Sequence, residues 1–191
     1  MRKYLLMFFL TLGVGLAPLL GKVGVPQFRP LATLIPLNLE EGVFVAAAFL
    51  LALPTVGVQF FAKRRLRMLF WIVFTVAVVL TLALLFTYSF FVEKIELEGG
   101  TFSARYIVGD TMLPTCPCVR ENKPVSTCIG TAMTTNPAEV SACYPRSEIA
   151  GRAAVLSLVY VLAMFAYGLL IGLVLRVGEG SARPRSSPDA A

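Results

Sequence analysis

Four cysteines are the residues of this chain whose type and spacing could do chemistry. Cys116 and Cys118 are separated only by Pro117, and Cys128 and Cys143 follow within the same polar stretch. A bond between Cys116 and Cys118 would be strained by the short connection and the proline. Each is therefore expected to pair with Cys128 or Cys143, which leaves two connectivities open. We predict two structural disulfides in an oxidising compartment.

Two other uses of the cysteines compete with the structural one. Four-helix thiol oxidases linked to quinones also carry two cysteine pairs, but they divide them between both outer loops, whereas residues 22–42 contain no cysteine. Zinc sites more often use a Cys-x-x-Cys spacing than the Cys-x-Cys present here. The chain has no histidine, which removes histidine-based catalysis and metal ligation. We therefore predict no catalytic residue, no metal site and no cofactor.

The elements that hold these cysteines are strongly apolar. Of the residues, 57% are hydrophobic and only 15% are charged, whereas soluble domains have about 25% charged residues. The apolar residues form blocks near the length of about 20 residues that spans a bilayer. The net charge of +6 does not form an aromatic-interleaved basic patch, so direct nucleic-acid binding is not expected. This composition predicts a membrane protein that crosses the lipid bilayer several times.

Four transmembrane helices are predicted. The first three occupy residues 1–92, with spans at 4–21, 43–61 and 69–92, and the fourth is 153–176. The first segment follows the basic Met1-Arg2-Lys3 and could be a signal peptide, but its cleavage site is poor and an uncleaved helix is favoured. Between the second and third spans lies the densest basic cluster, which we call the basic turn: Lys63, Arg64, Arg65 and Arg67.

Charge distribution orients these spans. The N-terminus, the basic turn and the tail 177–191, counted together with the preceding Arg176, carry +7, whereas the two remaining loops carry −1. Basic residues in short loops stay on the cytoplasmic side of a membrane. Both termini and the basic turn are therefore predicted in the cytoplasm of a bacterial cell, with the tail disordered. The loop 93–152, which contains the cysteines, is predicted outside the inner membrane.

A β-hairpin is predicted where this outer loop begins. Apolar and charged residues alternate from Lys94 to Glu98, Gly99-Gly100 forms a turn, and alternation resumes from Thr101 to Val108. The two-residue turn sets Ile95 opposite Ala104, Glu96 opposite Ser103 and Leu97 opposite Phe102. It also sets Lys94 opposite Arg105, which is the weak point of the register because like charges face each other.

The fourth span contains a possible helix contact. Gly168 and Gly172 form a G-x-x-x-G pattern that lets helix backbones approach closely, although the pattern also arises by chance in apolar helices. No charged residue lies between Ala153 and Leu175 or inside the other spans. Ion-coupled transporters place ionisable groups there, so a transporter is disfavoured. Backbone carbonyls and hydroxyls can line a pore, so ion conduction remains open.

The predicted fold class is an all-α membrane protein of four transmembrane helices with a small disulfide-stapled extracytoplasmic subdomain that contains a β-hairpin. The predicted function is non-enzymatic: a sensor or scaffold of the inner membrane. Its outer loop would meet a ligand or a membrane disturbance, and its basic turn would meet a cytoplasmic partner protein or anionic lipid. The alternative is a membrane immunity protein against a pore-forming or periplasmic toxin.

In layout the chain resembles the KwaA family, the four-helix membrane subunits of Kiwa anti-phage defence systems. The likeness lies in the short basic N-terminus, the turn at Lys63 to Arg67 and the large outer loop before the final helix. It covers the whole chain but includes no signature motif, so no functional residue transfers. The resemblance implies a homo-oligomer that detects infection at the membrane and acts with a cytoplasmic partner.

Overall fold

The computed structural model describes residues 2–22, 27, 35–36, 39–60, 66–96, 103–116, 119 and 143–181. It contains four α-helices and one two-stranded sheet within these residues: α1 (Arg2–Lys22), α2 (Glu41–Gly57), α3 (Leu66–Phe91), β1 (Val92–Glu96), β2 (Ser103–Ile107) and α4 (Arg146–Ser181). A short 3-10 turn, Val58–Phe60, extends α2.

The helices form a row in which α1 packs on α2, α2 on α4, and α4 on α3. Two apolar clusters lie along it. One, at the end that carries the sheet, is centred on Phe44, Ile107 and Leu156, and it also includes Ile35 and Leu39 from the proline-rich segment before α2. The other lies at the opposite end and joins Val58, Val73 and Leu173. The inner pair of the row, α2 and α4, therefore connects both clusters.

Three helical segments are long and apolar enough to cross a bilayer: Glu41–Phe60, Met68–Phe91 and Arg146–Val177. The apolar part of α1, Tyr4–Leu20, is shorter. The structure is therefore mostly helical, with three long apolar helices, and is compatible with a membrane protein. α3 exposes many large apolar side chains along its length, including Trp71, Leu82, Phe86 and Phe90, as expected of a surface that meets lipid.

The hairpin has the predicted register wherever the structure describes it. Lys94 pairs with Arg105, Ile95 with Ala104 and Glu96 with Ser103, in an antiparallel ladder that starts with Val92 opposite Ile107. The pairing of Leu97 with Phe102 and the Gly99-Gly100 turn lie outside the described residues. Because β1 begins at the residue after α3 ends, the sheet is a direct continuation of a long apolar helix.

The fourth helix begins earlier than the predicted span. α4 starts at Arg146, so the last seven residues of the predicted loop 93–152 are helical. The amides of Glu148 and Ile149 donate to the Pro145 carbonyl, at 3.0 and 3.3 Å, and these bonds begin the helix. At about 1.5 Å per residue, a helix of 36 residues is about 54 Å long and exceeds the hydrocarbon thickness of a bilayer.

Candidate functional site

The cysteine-bearing segment is fastened by a disulfide between Cys116 and Cys143. The Leu113 amide donates to the Cys143 carbonyl at 2.9 Å, and the Cys116 amide donates to the Leu113 carbonyl at 2.9 Å. One of the two predicted disulfides is thus present, and it belongs to one of the two connectivities that the sequence left open. In that connectivity the predicted partner of Cys118 is Cys128, and both of these cysteines lie outside the described residues.

Both cysteines of this disulfide are buried, with only 2% of Cys116 and 1% of Cys143 exposed. Thiol exchange requires an attacking thiolate to reach one of the sulfurs, so burial disfavours exchange and supports a structural role. Among the described residues no group of three or more histidine, cysteine or acidic side chains is placed to hold a metal ion.

Glu148, in the first turn of α4, holds the chain that leaves β2. Its Oε2 accepts hydrogen bonds from the amides of Asp110, at 3.0 Å, and Thr111, at 3.3 Å. Its Oε1 accepts from the Thr111 hydroxyl. These hydrogen bonds, and above all the one from the Thr111 hydroxyl, lower the pKa of the Glu148 carboxyl. Glu148 lies before the apolar run that begins at Ala153.

The charged form of Glu148 is therefore the one that stabilises this contact. A carboxyl whose pKa is lowered in the folded state stabilises the fold at pH values above the pKa of an unfolded glutamate, about 4.3. This stabilisation is lost as the pH falls through the pKa of the folded state. The carboxylate is at the surface, so solvent screening keeps this effect small.

Arg152, one helical turn after Glu148, also contacts this segment. Its Nη1 donates to the Val108 carbonyl at 2.7 Å, and its Nη2 forms an ion pair with Asp110. The guanidinium also lies 5.1 Å from the ring centroid of Phe91, the last residue of α3. We call Glu148 and Arg152, with the segment 108–111 that they hold, the clasp.

Gly109 allows the segment 108–111 to approach Tyr144 and Glu148 closely. A Cβ atom at this position would lie 2.6 Å from Glu148 Oε2 and 2.8 Å from Tyr144 Cδ1, so a side chain would force the segment away from α4. Tyr144 is buried beside it. Burial raises the pKa of Tyr144 to about 12, and the nearby Glu93 carboxylate adds to the shift. The tyrosine therefore stays neutral in this contact at physiological pH.

The spacing of Asp110 and Glu148 in the sequence indicates no common role for them. The missing signal was the extent of α4: once a helix begins at Arg146, Glu148 and Arg152 are four residues apart and lie on one helical face. Most residues of the basic turn lie outside the described residues. Lys63, Arg64 and Arg65 are not among the described residues, and Arg67 lies in the first turn of α3.

Gly168 and Gly172 lie against α2. A Cβ atom at Gly168 would fall on the Leu51 carbonyl oxygen and lie 2.8 Å from Pro54 Cγ, and one at Gly172 would lie 2.8 Å from the Thr55 carbonyl oxygen. The Thr55 hydroxyl is within hydrogen-bonding distance of the Gly168 carbonyl, 2.9 Å, and of the Leu51 carbonyl, 2.7 Å.

A second side chain of the α2 segment bonds to the same face of α4. Gln59 Nε2 donates to the Gly172 carbonyl at 3.0 Å, and Gln59 is buried. The two helices are therefore in backbone contact, with two buried hydrogen-bonding side chains at the contact.

A cavity of about 330 Å³ opens at the end of the bundle that carries the sheet. All four helices contribute to its wall, together with the segment before α2. Its lining is almost entirely apolar and consists of Pro18, Ile35, Pro36, Leu39, Phe44, Leu84, Tyr88, Leu156, Tyr160 and Met164.

The fold and these contacts define the chain as a helical protein with three long apolar helices and a disulfide-bonded, hairpin-containing segment at one end of them. Comparison of the chain with protein-family models, with curated proteins and with solved structures finds no match.

Proposed function

We propose that this protein is a non-enzymatic sensor or scaffold of the bacterial inner membrane, with the disulfide-bonded segment outside and the basic turn inside. In this proposal the outer segment receives the signal. The basic turn, Lys63 to Arg67, engages a cytoplasmic partner, and the protein forms a homo-oligomer. An anti-phage role is the form of the proposal that the resemblance to the KwaA family suggests.

The observation that carries the proposal is the way the outer segment is joined to the helices. β1 continues α3 without an intervening residue, the Val108 amide donates to the Phe91 carbonyl at 3.0 Å, and Arg152 of α4 contacts both the segment 108–111 and Phe91. A force on the outer segment therefore acts on two long helices at once. This rigid connection is what a sensor needs in order to transmit a change across the bilayer.

The proposed topology predicts where reporter fusions will be active. Alkaline phosphatase fused after Thr131 should be active, because that enzyme folds only outside the cytoplasm, whereas a fusion after Arg65 should be inactive. A green fluorescent protein fusion at each position should give the opposite pattern. Phosphatase activity at Arg65 without activity at Thr131 would invert the topology and remove the basis for a sensor that faces outward.

The proposed coupling predicts that weakening the clasp changes the distance between α3 and α4 at the ends of these helices that lie far from the clasp. Spin labels at Met68 and Val177, both exposed near those ends, would report the distance between the helices by pulsed electron paramagnetic resonance. The double variant Glu148→Gln, Arg152→Gln should shift or broaden that distance distribution relative to the otherwise native protein.

The matched control for this experiment is Arg146→Gln. Arg146 is an exposed cation on the first turn of the same helix, and its replacement should leave the distances unchanged. Equal distance distributions in the clasp variant and the native protein would mean that the outer segment is mechanically independent of the helices, and the sensor proposal would then fail.

A further inference from the structure

The apolar cavity at the sheet end of the bundle is lined by residues of the protein core. Leu39, Phe44 and Leu156 contribute to its wall, and the same three residues belong to the buried cluster that includes Ile107 of the hairpin. Its volume of about 330 Å³ lies within the range of small-molecule sites. The cavity is therefore a space that reaches into the core of the bundle.

The chemistry of the wall restricts what can fill this space. None of the described residues that line the cavity is charged, and the polar groups of their side chains are the hydroxyls of Tyr88 and Tyr160. A cavity retains water only where several polar groups bind it. An apolar cavity that stays empty destabilises a protein in proportion to its volume. The wall therefore favours an uncharged hydrocarbon as the occupant.

The two outer helices of the row leave the cavity accessible from the side. α1 contributes Pro18 to the lining, and α3 contributes Leu84 and Tyr88. In the described part of the chain α1 packs on α2 and α3 packs on α4, but α1 and α3 do not pack extensively on each other. All three side chains belong to apolar helical segments. In the proposed membrane placement, the space between α1 and α3 therefore meets the hydrocarbon of the bilayer.

We propose that the cavity holds one acyl chain of a bilayer lipid. Hydrocarbon chains surround the helices of a membrane protein, so this occupant is present wherever the protein is. At about 30 Å³ for a group of the size of a water molecule, the cavity has room for part of one chain and not for a whole lipid. Because its lining is uncharged, the head group stays outside, and binding does not depend on head-group charge. The inference rests on the membrane placement of the proposed function.

Photolabelling in liposomes tests the site. The full-length protein is reconstituted with phosphatidylcholine that carries a diazirine on one acyl chain, and the labelled residues are located by mass spectrometry after irradiation. We expect label at Tyr160 and Met164, the cavity pair, which line the cavity on α4. We also expect label at Leu158 and Leu162, the exposed pair, which lie at the surface of the same helix. The exposed pair reports lipid around the protein, and the cavity pair reports a chain inside it.

Matched tryptophan variants separate the two kinds of label. Leu84→Trp adds a ring to the cavity and should lower the labelling of the cavity pair about tenfold, because the ring takes the volume of the chain. Leu85→Trp, at an exposed position of the same helix, should leave that labelling unchanged. Met164→Trp fills the cavity from α4 and should lower the labelling of Tyr160 in the same way. Labelling of the exposed pair should be equal in all these proteins.

The outcomes distinguish the cavity site from the membrane placement. Label at the exposed pair without label at the cavity pair would overturn the acyl-chain site and leave the membrane placement intact. Absence of label at both pairs would overturn the membrane placement, and the acyl-chain site with it.

Two further outcomes would count against the acyl-chain site alone. One is equal labelling of the cavity pair in Leu84→Trp and Leu85→Trp while both retain the native helical circular dichroism, because the label would then reach this pair from outside the cavity. The other is a change in the labelling of the cavity pair, relative to the exposed pair, when phosphatidylglycerol with the same diazirine chain replaces phosphatidylcholine.

Discussion

Replacing Gly168 with leucine should lower the free energy of unfolding by about 3 kcal/mol, the upper part of the usual range for overpacked positions. The first carbon of the new side chain would already fall on the Leu51 carbonyl oxygen and lie 3.0 Å from the Leu51 carbonyl carbon. Both atoms belong to the backbone of α2 and cannot move aside by a rotamer change. The whole of α2 must therefore shift away from α4.

The same helix provides the matched control. Gly151 has no atom within 4 Å of the place where its Cβ would be, so Gly151→Leu adds the same atoms to α4 without a clash. Unfolding in mixed micelles with increasing sodium dodecyl sulfate, followed by far-ultraviolet circular dichroism, would measure both variants. A Gly168→Leu protein as stable as Gly151→Leu would show that α2 and α4 are not held in contact at this position.

Close approach contributes more to this helix pair than its hydrogen bonds do. The Thr55 hydroxyl has one hydrogen, so it can donate to only one of the two carbonyls at a time, those of Leu51 and Gly168. Hydrogen bonds between membrane helices contribute only about 0.6 kcal/mol on average. The contact therefore depends mainly on small residues that let the two backbones meet.

The sequence predicts correctly the features that depend on the repeat period of a strand or on the length of an apolar segment. The strand period of two and the glycine pair fixed which residues of the hairpin face each other, and three predicted pairs are found: Lys94 with Arg105, Ile95 with Ala104, and Glu96 with Ser103. Apolar length located the three long helices. Both signals are local. The side chains of a strand alternate between its two faces, and a long apolar helix can be found from its length, whatever either element packs against.

Sequence reasoning could not supply the contacts that depend on tertiary structure. The three charged residues from Arg146 to Arg152 exclude this stretch from an apolar span, so the predicted fourth span begins at Ala153, after both residues of the clasp. Choosing Cys143 over Cys128 as the partner of Cys116 requires the fold that brings β2 to the start of α4. The cavity needs all four helices in place, and no single segment indicates it.

Removing the Cys116–Cys143 disulfide should destabilise the outer segment by about 3 to 4 kcal/mol while leaving the helices folded. The bond closes a loop between residues 27 positions apart, and the entropy that such a cross-link removes from the unfolded chain corresponds to a stabilisation of this size. Among the described residues of the segment, the buried ones are Tyr106, Ile107, Val108, Cys116, Cys143 and Tyr144. Hydrogen exchange of the Leu113 amide, which donates to the Cys143 carbonyl, would measure the change.

Three variants make this prediction specific to the bond. Cys116→Ala, Cys143→Ala and the double variant should accelerate exchange at Leu113 by similar factors, because each removes the same covalent link and the effects of coupled residues do not add. Exchange within α2 should stay as slow as in the native protein, since α2 packs on α1 and α4 rather than on the disulfide. If the double change accelerated exchange by the product of the single effects, each cysteine would be acting through its own contacts. Acceleration throughout α2 would mean that the disulfide stabilises the helices themselves, which contradicts the prediction that they stay folded without it.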